Sequence, residues 1–247
     1  MLKEFLKRTV RLAESRVIWR ERRVRFGDGE LRLLRSRFWD DTEQKIFEAE
    51  ILPYFRGMGD GVAVPEVIVD AGAATGHFAL AATARWPGVR VVCFEPSARQ
   101  RVMLGRNARL NGVAARIQVE PLALWNSRGF LRFRTHGAIS CLEVVSSLPR
   151  HLPFEETVPV EPLDEWAARA GLTRLDWIKM DIEGAELEAL QGARATLRRW
   201  RPGLLVQAYH VRDGVRTFEA CRRWLEGEGY RCEESGAGSG LLVARAG

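Results

Sequence analysis

The segment Glu66-Val-Ile-Val-Asp-Ala-Gly-Ala-Ala-Thr-Gly76 has the pattern of an apolar strand that runs directly into a turn of small residues. Residues 77–86 have the pattern of a helix that ends before Pro87-Gly88, and residues 89–96 form a second apolar strand. A further helix over residues 97–112 leads to the next strand. This alternation predicts an α/β fold with a mostly parallel, doubly wound sheet and right-handed crossovers.

The rest of the chain continues this alternation and closes with an antiparallel hairpin. Apolar and β-branched runs predict strands at residues 116–124, 129–135, 175–181 and 203–210. Helical spacing predicts helices at residues 163–172, 182–200 and 215–229. Residues 230–246, which contain the glycines from Gly236 to Gly240, predict the closing hairpin.

The first sixty residues are organised differently. Apolar residues at helical spacing predict a helix over residues 2–18. The turn Gly27-Asp28-Gly29 predicts a hairpin over residues 22–35, and residues 42–56 predict a helix that ends at Pro53 or Gly57. Because residues 57–65 have the composition of a loop, we expect an N-terminal appendage over residues 1–60 and a main domain over residues 61–247.

Composition excludes several classes of protein. The chain has 247 residues, of which 46% are hydrophobic and 28% charged, so bulk disorder and a disulfide scaffold are excluded. The four cysteines form no C-x-x-C pair and are expected to be reduced and structural. No apolar run has the length of a membrane-spanning helix, and the first twenty residues do not resemble a signal peptide, so we expect a cytoplasmic protein.

The positive charge of the chain is concentrated at its N-terminus. The net charge is +6, and residues 1–37 hold twelve Lys or Arg against five Asp or Glu, a local charge of +7. A peripheral contact of this segment with nucleic acid or with a membrane surface is therefore one interpretation. A solvated, arginine-rich face is the interpretation that we favour.

The turn after the first strand of the main domain has the composition of a cofactor site. It reads Asp70-Ala-Gly72-Ala-Ala-Thr-Gly76, and Glu95 stands 25 residues after Asp70, at the end of the next strand. Small residues let a ligand approach the backbone closely, and an acidic side chain at the second position can accept hydrogen bonds from ribose hydroxyls. The dinucleotide pattern G-x-G-x-x-G is not met. On its own, this turn is equally compatible with a ligand site and with a structural turn that binds nothing. The position of Glu95 at the end of the next strand favours ligand binding.

A second set of residues gives a specific resemblance. The segment Ile178-Lys-Met-Asp-Ile-Glu-Gly-Ala-Glu186 closely resembles the I-K-x-D-x-E-G-A-E segment of the FkbM-type family of class I S-adenosylmethionine-dependent methyltransferases. Residues 67–210 follow the order of that family, including F-E-P at Phe94–Pro96 and R-N-x-x-x-N-G at Arg106–Gly112. The sequence departs from the family at Ala74, where Asn is frequent, and at Gln207, where Glu is frequent.

The resemblance implies a Rossmann-like methyltransferase fold, S-adenosylmethionine as methyl donor with S-adenosylhomocysteine as product, and O-methylation of a sugar, glycan or secondary-metabolite hydroxyl. It also implies the cofactor-binding residues. Those expected around the methionine half are Asp70, Gly72, Ala73 and Gly76; those expected around the ribose and adenine are Glu95, Pro96, Leu122 and Ala123; Asp181 is expected near the sulfonium and the acceptor.

Three residues are candidates for the catalytic chemistry. An alcohol acceptor has to lose its proton, and Asp181 and His210, at the ends of neighbouring predicted strands, can each act as a general base. Glu183 has either a structural or a functional role, and for Glu186, at the start of the next helix, we expect a structural role. Asp181, Glu183 and His210 offer ligands for Mg²⁺, but because no dense ligand spacing supports a metal site, none is predicted.

Two alternative functions remain open. The basic N-terminal segment, with its neighbouring aromatic residues, is compatible with an RNA methyltransferase that acts on a ribose 2′-hydroxyl. The same fold without catalysis is compatible with a cofactor-binding scaffold. Residues 135–160, with His136 and His151, lie outside the matched motifs and are expected to be an insertion that shapes the acceptor pocket.

Overall fold

The computed structural model describes residues 19–36, 43–136, 139–142, 155–212 and 214–247. Its strands are β1 (Trp19–Phe26), β2 (Gly29–Ser36), β3 (Val67–Ala71), β4 (Arg90–Phe94), β5 (Ile117–Glu120), β6 (Ala123–Leu124), β7 (Gly129–His136), β8 (Ile139–Leu142), β9 (Glu155–Glu161), β10 (Trp177–Met180), β11 (Gly203–Gln207), β12 (Val211–Arg212), β13 (Val215–Arg216), β14 (Tyr230–Glu234) and β15 (Leu241–Ala246). Its α-helices are α1 (Glu43–Ile46), α2 (Leu52–Met58), α3 (His77–Arg85), α4 (Ala98–Leu110), α5 (Leu163–Arg169), α6 (Glu186–Gln191), α7 (Arg194–Trp200) and α8 (Thr217–Gly227). Within these ranges no helix combines the length and the apolar character needed to cross a bilayer.

Seven strands form the central sheet, in the order β14-β15-β11-β10-β3-β4-β5. The five strands from β11 to β5 are parallel, and β15 and β14 add the antiparallel hairpin at one edge. This confirms the predicted α/β fold with a mostly parallel sheet and a C-terminal hairpin. Because the strand order reverses between β3 and β10, the loops that follow these two strands open a crevice at their carboxyl ends.

A second sheet, which the sequence patterns did not separate from the first, lies beside this crevice. Its order is β6-β9-β7-β8. The single strand predicted over residues 116–124 is divided, with β5 in the central sheet and β6 in the second sheet. Pro121 stands between them, and since proline has no N–H to donate, the ladder of the central sheet ends there. The expected insertion over residues 135–160 contains β8 and most of β9, and its His151 lies outside the described residues.

The N-terminal hairpin forms around the predicted turn and extends beyond residues 22–35, whereas the helix that follows it differs from the prediction. Strands β1 and β2 pair antiparallel from Trp19 and Ser36 to Phe26 and Gly29. The helical segment does not end at Pro53 or Gly57 but continues to Met58, through a π-helical turn at Phe47–Ile51. Pro53 falls in the first turn of α2, where its missing N–H is tolerated. The predicted helix 2–18 lies outside the described residues.

The N-terminal hairpin and α2 pack on one face of the central sheet together with α3 and α4. Val24, Leu31 and Leu33 are buried in the same hydrophobic cluster as Phe78 and Leu104. Polar contacts join the same elements: the Leu34 N–H donates to Asn107 Oδ1 (2.8 Å) and the Arg32 N–H donates to Asn111 Oδ1 (2.8 Å). A shared core therefore crosses the expected boundary near residue 60, and the division into an appendage over residues 1–60 and a main domain over residues 61–247 stays a prediction.

This shared core makes a stability test possible. We expect Leu33→Ala to lower the free energy of unfolding of the whole chain by about 2–5 kcal/mol, because Leu33 is fully buried against the helices of the main domain. Val64→Ala, at a side chain 63% exposed, is the matched control and should change it by less than about 0.5 kcal/mol. Chemical denaturation followed by circular dichroism measures both. An unchanged main transition in Leu33→Ala would show that the hairpin folds as an independent appendage.

Candidate functional site

The loop after β3 is packed between the ends of β4 and β10. Gly72 has a φ of +73°, and a Cβ atom placed on it would lie 1.9 Å from the carbonyl oxygen of Asp181. The N–H groups of Gly72 and Ala73 both donate to the carbonyl oxygen of Phe94, at 3.0 and 3.2 Å. Only glycine fits such an approach, so the loop packs directly against the Asp181 backbone at the strand ends.

Glu95 fixes the far side of this loop. Its Oε2 accepts the N–H of Ala74 at 2.8 Å and its Oε1 accepts the N–H of Ser97 at 2.8 Å. Burial raises the pKa of Glu95, and these two N–H groups oppose that shift. Each carboxylate oxygen keeps a second lone pair, so Glu95 can hold the loop and still accept a hydrogen bond from a ligand.

A buried cation lies beneath the loop. Lys179 Nζ lies 3.1 Å from Asp70 Oδ1 and donates to the carbonyl oxygen of Gly72 at 2.9 Å. Burial alone would lower the pKa of Lys179, but the carboxylates of Asp70 and Asp181 outweigh burial and raise that pKa. Asp70 is fully buried and acts on the loop through Lys179.

Asp181 stands immediately after β10, next to Gly72. Its Oδ2 accepts a hydrogen bond from the hydroxyl of Tyr54 at 3.0 Å. Its Oδ1 is buried and accepts no hydrogen bond from the part of the chain that the structure describes. Burial raises the pKa of Asp181, Lys179 opposes that shift and Glu183 adds to it. An unsatisfied buried carboxylate oxygen is costly unless a ligand donates to it or carries positive charge.

Glu183 and His210 form a pair behind Asp181. Glu183 Oε2 lies 2.9 Å from His210 Nε2, and Glu183 has a φ of +58°, a strained conformation for a residue with a side chain. Burial would lower the pKa of His210, but the Glu183 hydrogen bond and the Glu186 carboxylate raise it. The ring of Tyr209, itself 46% exposed, lies over the imidazole at a centroid distance of 4.2 Å.

Glu186 supports this turn from inside the protein. It is fully buried, and its Oε1 accepts the N–H groups of Gly184 (3.0 Å) and Ile182 (3.3 Å). Burial raises the pKa of Glu186 to about 7, against the opposing effect of the Gly184 N–H and the His210 charge. These contacts give Glu186 a structural role in the loop that carries Glu183.

Two cavities meet at Gly72, Ala74 and Asp181. The first, of about 620 Å³, extends along the ends of β4 and β6 and is also lined by Glu95, Pro96, Ala123 and Glu183. The second, of about 510 Å³, lies between the N-terminal helices and the loop and is also lined by Ala73, Tyr54, Glu50 and Lys179. Four residues expected at the site, namely Asp70, Gly76, Leu122 and His210, line neither cavity.

Two residues of the site were not expected from the sequence. Lys179 stood in the quoted segment as a charge between apolar residues of a strand, and that pattern was a usable signal of a buried ion pair. Tyr54 lies in the N-terminal segment, and no sequence pattern connected it with Asp181. Among the described residues, no group of three or more His, Cys, Asp or Glu side chains is arranged to hold a metal ion.

Comparison with known proteins gives a consistent picture. Residues 70–232 match the sequence model of the methyltransferase FkbM domain. The methyltransferase sdnD of Sordaria araneosa is 28% identical over 153 residues, which cover 51% of this chain and 59% of that protein. The 2-O-methyltransferase NoeI of Sinorhizobium fredii is 28% identical over 149 residues, which cover 55% of this chain and 60% of that protein. The chain thus spans about three fifths of the length of these curated relatives.

Solved structures share the fold. The crystal structure of methyltransferase FkbM from Methylobacillus flagellatus matches with a TM-score of 0.52 and 21% identity, over 81% of this chain and 50% of that one. Fibrillarin of Aeropyrum pernix, in complex with S-adenosyl-L-methionine, matches with a TM-score of 0.52 and 13% identity, over 92% and 82% of the two chains. These similarities confirm the predicted Rossmann-like methyltransferase fold.

The close approach at Gly72 predicts an effect on stability that goes beyond backbone strain. Gly112 is the matched control, because its φ of +70° is similar and a Cβ there would meet nothing within 4 Å. We expect Gly112→Ala to lower the free energy of unfolding by about 1 kcal/mol through strain alone. Gly72→Ala should lower it by at least about 2 kcal/mol more, since the Asp181 backbone has to move. Equal effects in urea denaturation would contradict the packing described for this loop.

The environment of His210 predicts its titration. The pKa of His210 is raised above 6.5 because the neighbouring carboxylates outweigh burial, so Glu183→Gln should lower it. Glu188→Gln is the control, since Glu188 is on α6 and pairs with Arg212 at 2.7 Å. Titration of the four histidines by NMR, with His210→Gln for assignment, measures the shift. A His210 pKa that is unchanged in Glu183→Gln would contradict this pairing.

Proposed function

The chain belongs to the family of the methyltransferase FkbM domain, and we propose on this basis that it is an S-adenosylmethionine-dependent methyltransferase acting on a hydroxyl group of a sugar or secondary metabolite. The observation that carries the proposal is a single cavity lined by Gly72, Glu95 and Asp181, the residues that follow three neighbouring parallel strands. The relative named as a 2-O-methyltransferase supports an oxygen atom as the acceptor.

The residues present fit S-adenosylmethionine on two counts. Gly72 and Ala74 line both cavities with little or no side chain, and Asp181 Oδ1 lacks a hydrogen-bond donor among the described residues. We assign the ribose to Glu95 and the adenine to the wall at Pro96 and Ala123, with the Leu122 backbone behind it. The methionine half is assigned to the loop from Gly72 to Gly76, which Asp70 supports through Lys179.

When bound, S-adenosylmethionine supplies an electrophilic methyl group, and its sulfur keeps the electron pair of the broken C–S bond as the acceptor oxygen forms the new C–O bond. The protein contributes mainly alignment, because holding two reactants in line supplies a large part of such an acceleration. Asp181 places a negative charge beside the position assigned to the sulfonium. That charge favours binding of the cationic donor over the neutral product.

The acceptor's proton passes to the Glu183 and His210 pair in this proposal. Glu183 lines the cavity, whereas His210 lies behind it with Nε2 directed at Glu183 Oε2. The two side chains therefore act as one unit, with Glu183 in reach of the acceptor and His210 orienting its carboxylate. We place Asp181 as the charge partner and Glu183 as the residue nearest to the acceptor hydroxyl. No step requires Mg²⁺.

RNA is the less favoured acceptor. The arginines of the N-terminal hairpin are partly neutralised, since Arg32 pairs with Glu21 at 2.7 Å and Arg23 with Glu30 at 3.4 Å. Paired arginines offer less charge to a phosphate backbone. Methyl transfer from labelled S-adenosylmethionine to hydroxylated sugars and metabolites, with RNA as a parallel arm, distinguishes the two. Methylation of RNA alone would replace the proposed acceptor class.

Isothermal titration calorimetry tests the donor and the role of Glu95 together. The wild-type protein should bind S-adenosylmethionine and S-adenosylhomocysteine but not NAD. Glu95→Ala should weaken S-adenosylhomocysteine binding by roughly tenfold or more, because a hydrogen bond to a charged group is lost. It should have a smaller effect on the 2′,3′-dideoxy analogue, which makes no such bond in the wild type. If neither sulfur ligand binds the wild type, the proposal fails. Equal losses for both ligands would limit Glu95 to holding the loop.

A further inference from the structure

Tyr54 reaches the site from outside the segment that carries the sequence motifs. It lies on α2, its side chain is 3% exposed, and its hydroxyl donates to Asp181 Oδ2 at 3.0 Å. Its ring packs edge-on against Phe78 at 5.7 Å, and Lys179 Nζ lies 5.6 Å from its centroid. A buried tyrosine ring in contact with two further side chains has little rotational freedom, so these contacts restrict the position of its hydroxyl.

The effect of this bond on Asp181 is asymmetric. Oδ2 is occupied by the Tyr54 hydroxyl, whereas Oδ1 accepts no hydrogen bond from the described residues. Asp181 itself lines both cavities, at the place where they meet. A carboxylate that is held at one oxygen has little freedom to turn, and its other oxygen keeps full acceptor capacity.

We propose that Tyr54 is a positioning residue for methyl transfer, which holds Asp181 Oδ2 so that Oδ1 keeps its charge and acceptor capacity for the cationic sulfur of the methyl donor. This inference rests on the proposed function and deepens it, because it makes the N-terminal helical segment part of the cofactor site. Tyr54 does not contact the reacting atoms. It acts through the orientation and charge of Asp181.

The proposal predicts a specific change in ligand preference. S-adenosylmethionine carries a positive sulfonium, whereas S-adenosylhomocysteine is neutral at sulfur and otherwise nearly identical. An ionised and well-oriented Asp181 stabilises only the first, so the ratio of the two dissociation constants reports on this carboxylate. Loss of folding or of cavity shape would weaken both ligands together and leave the ratio unchanged.

The test compares Tyr54→Phe with Tyr230→Phe by calorimetry. Both substitutions remove one hydroxyl from a buried ring, and the Tyr230 hydroxyl donates to the Leu197 carbonyl oxygen at 3.4 Å, on the opposite face of the sheet. We expect Tyr54→Phe to reduce the preference for S-adenosylmethionine over S-adenosylhomocysteine by roughly tenfold at neutral pH. Tyr230→Phe should keep the wild-type preference.

A double-mutant cycle with Asp181→Asn assigns the effect to this pair. Asp181→Asn should remove most of the preference, and Tyr54→Phe in that background should remove little more. The charged and titratable groups that act on Asp181, directly or through Lys179, or that line a cavity with it are Glu50 in the π-helical turn, Tyr54 on α2, Asp70 on β3, His77 on α3, Glu95 after β4, Lys179 on β10, Glu183 after β10, Glu186 on α6, and Tyr209 and His210 after β11. Asp181→Asn retains all of these groups. The pH dependence of ligand preference in this variant therefore measures the contribution of the groups other than Asp181.

The pH profile has a definite sign. The Tyr54 hydrogen bond lowers the pKa of Asp181 against burial, so its removal raises that pKa further. As pH is lowered, Tyr54→Phe should therefore lose its preference for S-adenosylmethionine at a higher pH than the wild type does. At high pH, where Asp181 is ionised in both proteins, the preference should recover. The inference would be overturned if Asp181→Asn abolished the wild-type preference but Tyr54→Phe left the ratio of the two dissociation constants unchanged. That result would leave the proposed function in place. Absence of binding by the wild type would instead remove both.

Discussion

The buried charge of Lys179 is the constraint on which the site depends. Its ammonium group contacts Asp70 on the neighbouring strand and the carbonyl oxygen of Gly72, and its field acts on Asp181. Two carboxylates in a low-dielectric interior would repel each other and lose their hydration without a cation between them. Removal of that cation would leave Asp70 as an uncompensated charge inside the sheet. The ion pair therefore fixes the position of the glycine loop and also the charge of the residue that faces the ligand.

The N-terminal segment is joined to this centre by specific contacts. Asn107 accepts the Leu34 N–H at its Oδ1 and donates from its Nδ2 to the Thr75 carbonyl oxygen at 3.0 Å, so one side chain connects the hairpin with the glycine loop. Tyr54 makes the second connection, to Asp181. The π-helical turn at Phe47–Ile51 directly precedes α2, and such turns are frequent near functional sites. The N-terminal segment therefore contributes buried side chains to the core and also a hydrogen bond to the site.

The sequence was sufficient for the central sheet and for the residues at its strand ends, because these features follow from local patterns. Gly72, Glu95 and Asp181 each follow an apolar strand. Their proximity could be predicted from the rule that parallel strands place their carboxyl ends at the same edge of the sheet. Long-range partners were not accessible in the same way. Asn107 and Asn111 were visible as a family pattern, but their contacts with β2 lie more than seventy residues away. β6 belongs to the second sheet because it pairs with β9, and the local periodicity of the sequence does not indicate this long-range pairing.

Two carboxylates, Asp181 and Glu183, line the same cavity only two residues apart, and their different partners separate their roles. Asp181 has Tyr54 at one oxygen and the cation of Lys179 nearby, two partners that favour its ionised form against the effect of burial. Glu183 has instead a histidine at 2.9 Å, a partner that can hold or release a proton near neutral pH. Groups whose surroundings differ in this way divide between charge stabilisation and proton transfer. Glu183 also has a φ of +58° in the turn before α6, a strained conformation of the kind that the surrounding structure maintains at functional sites.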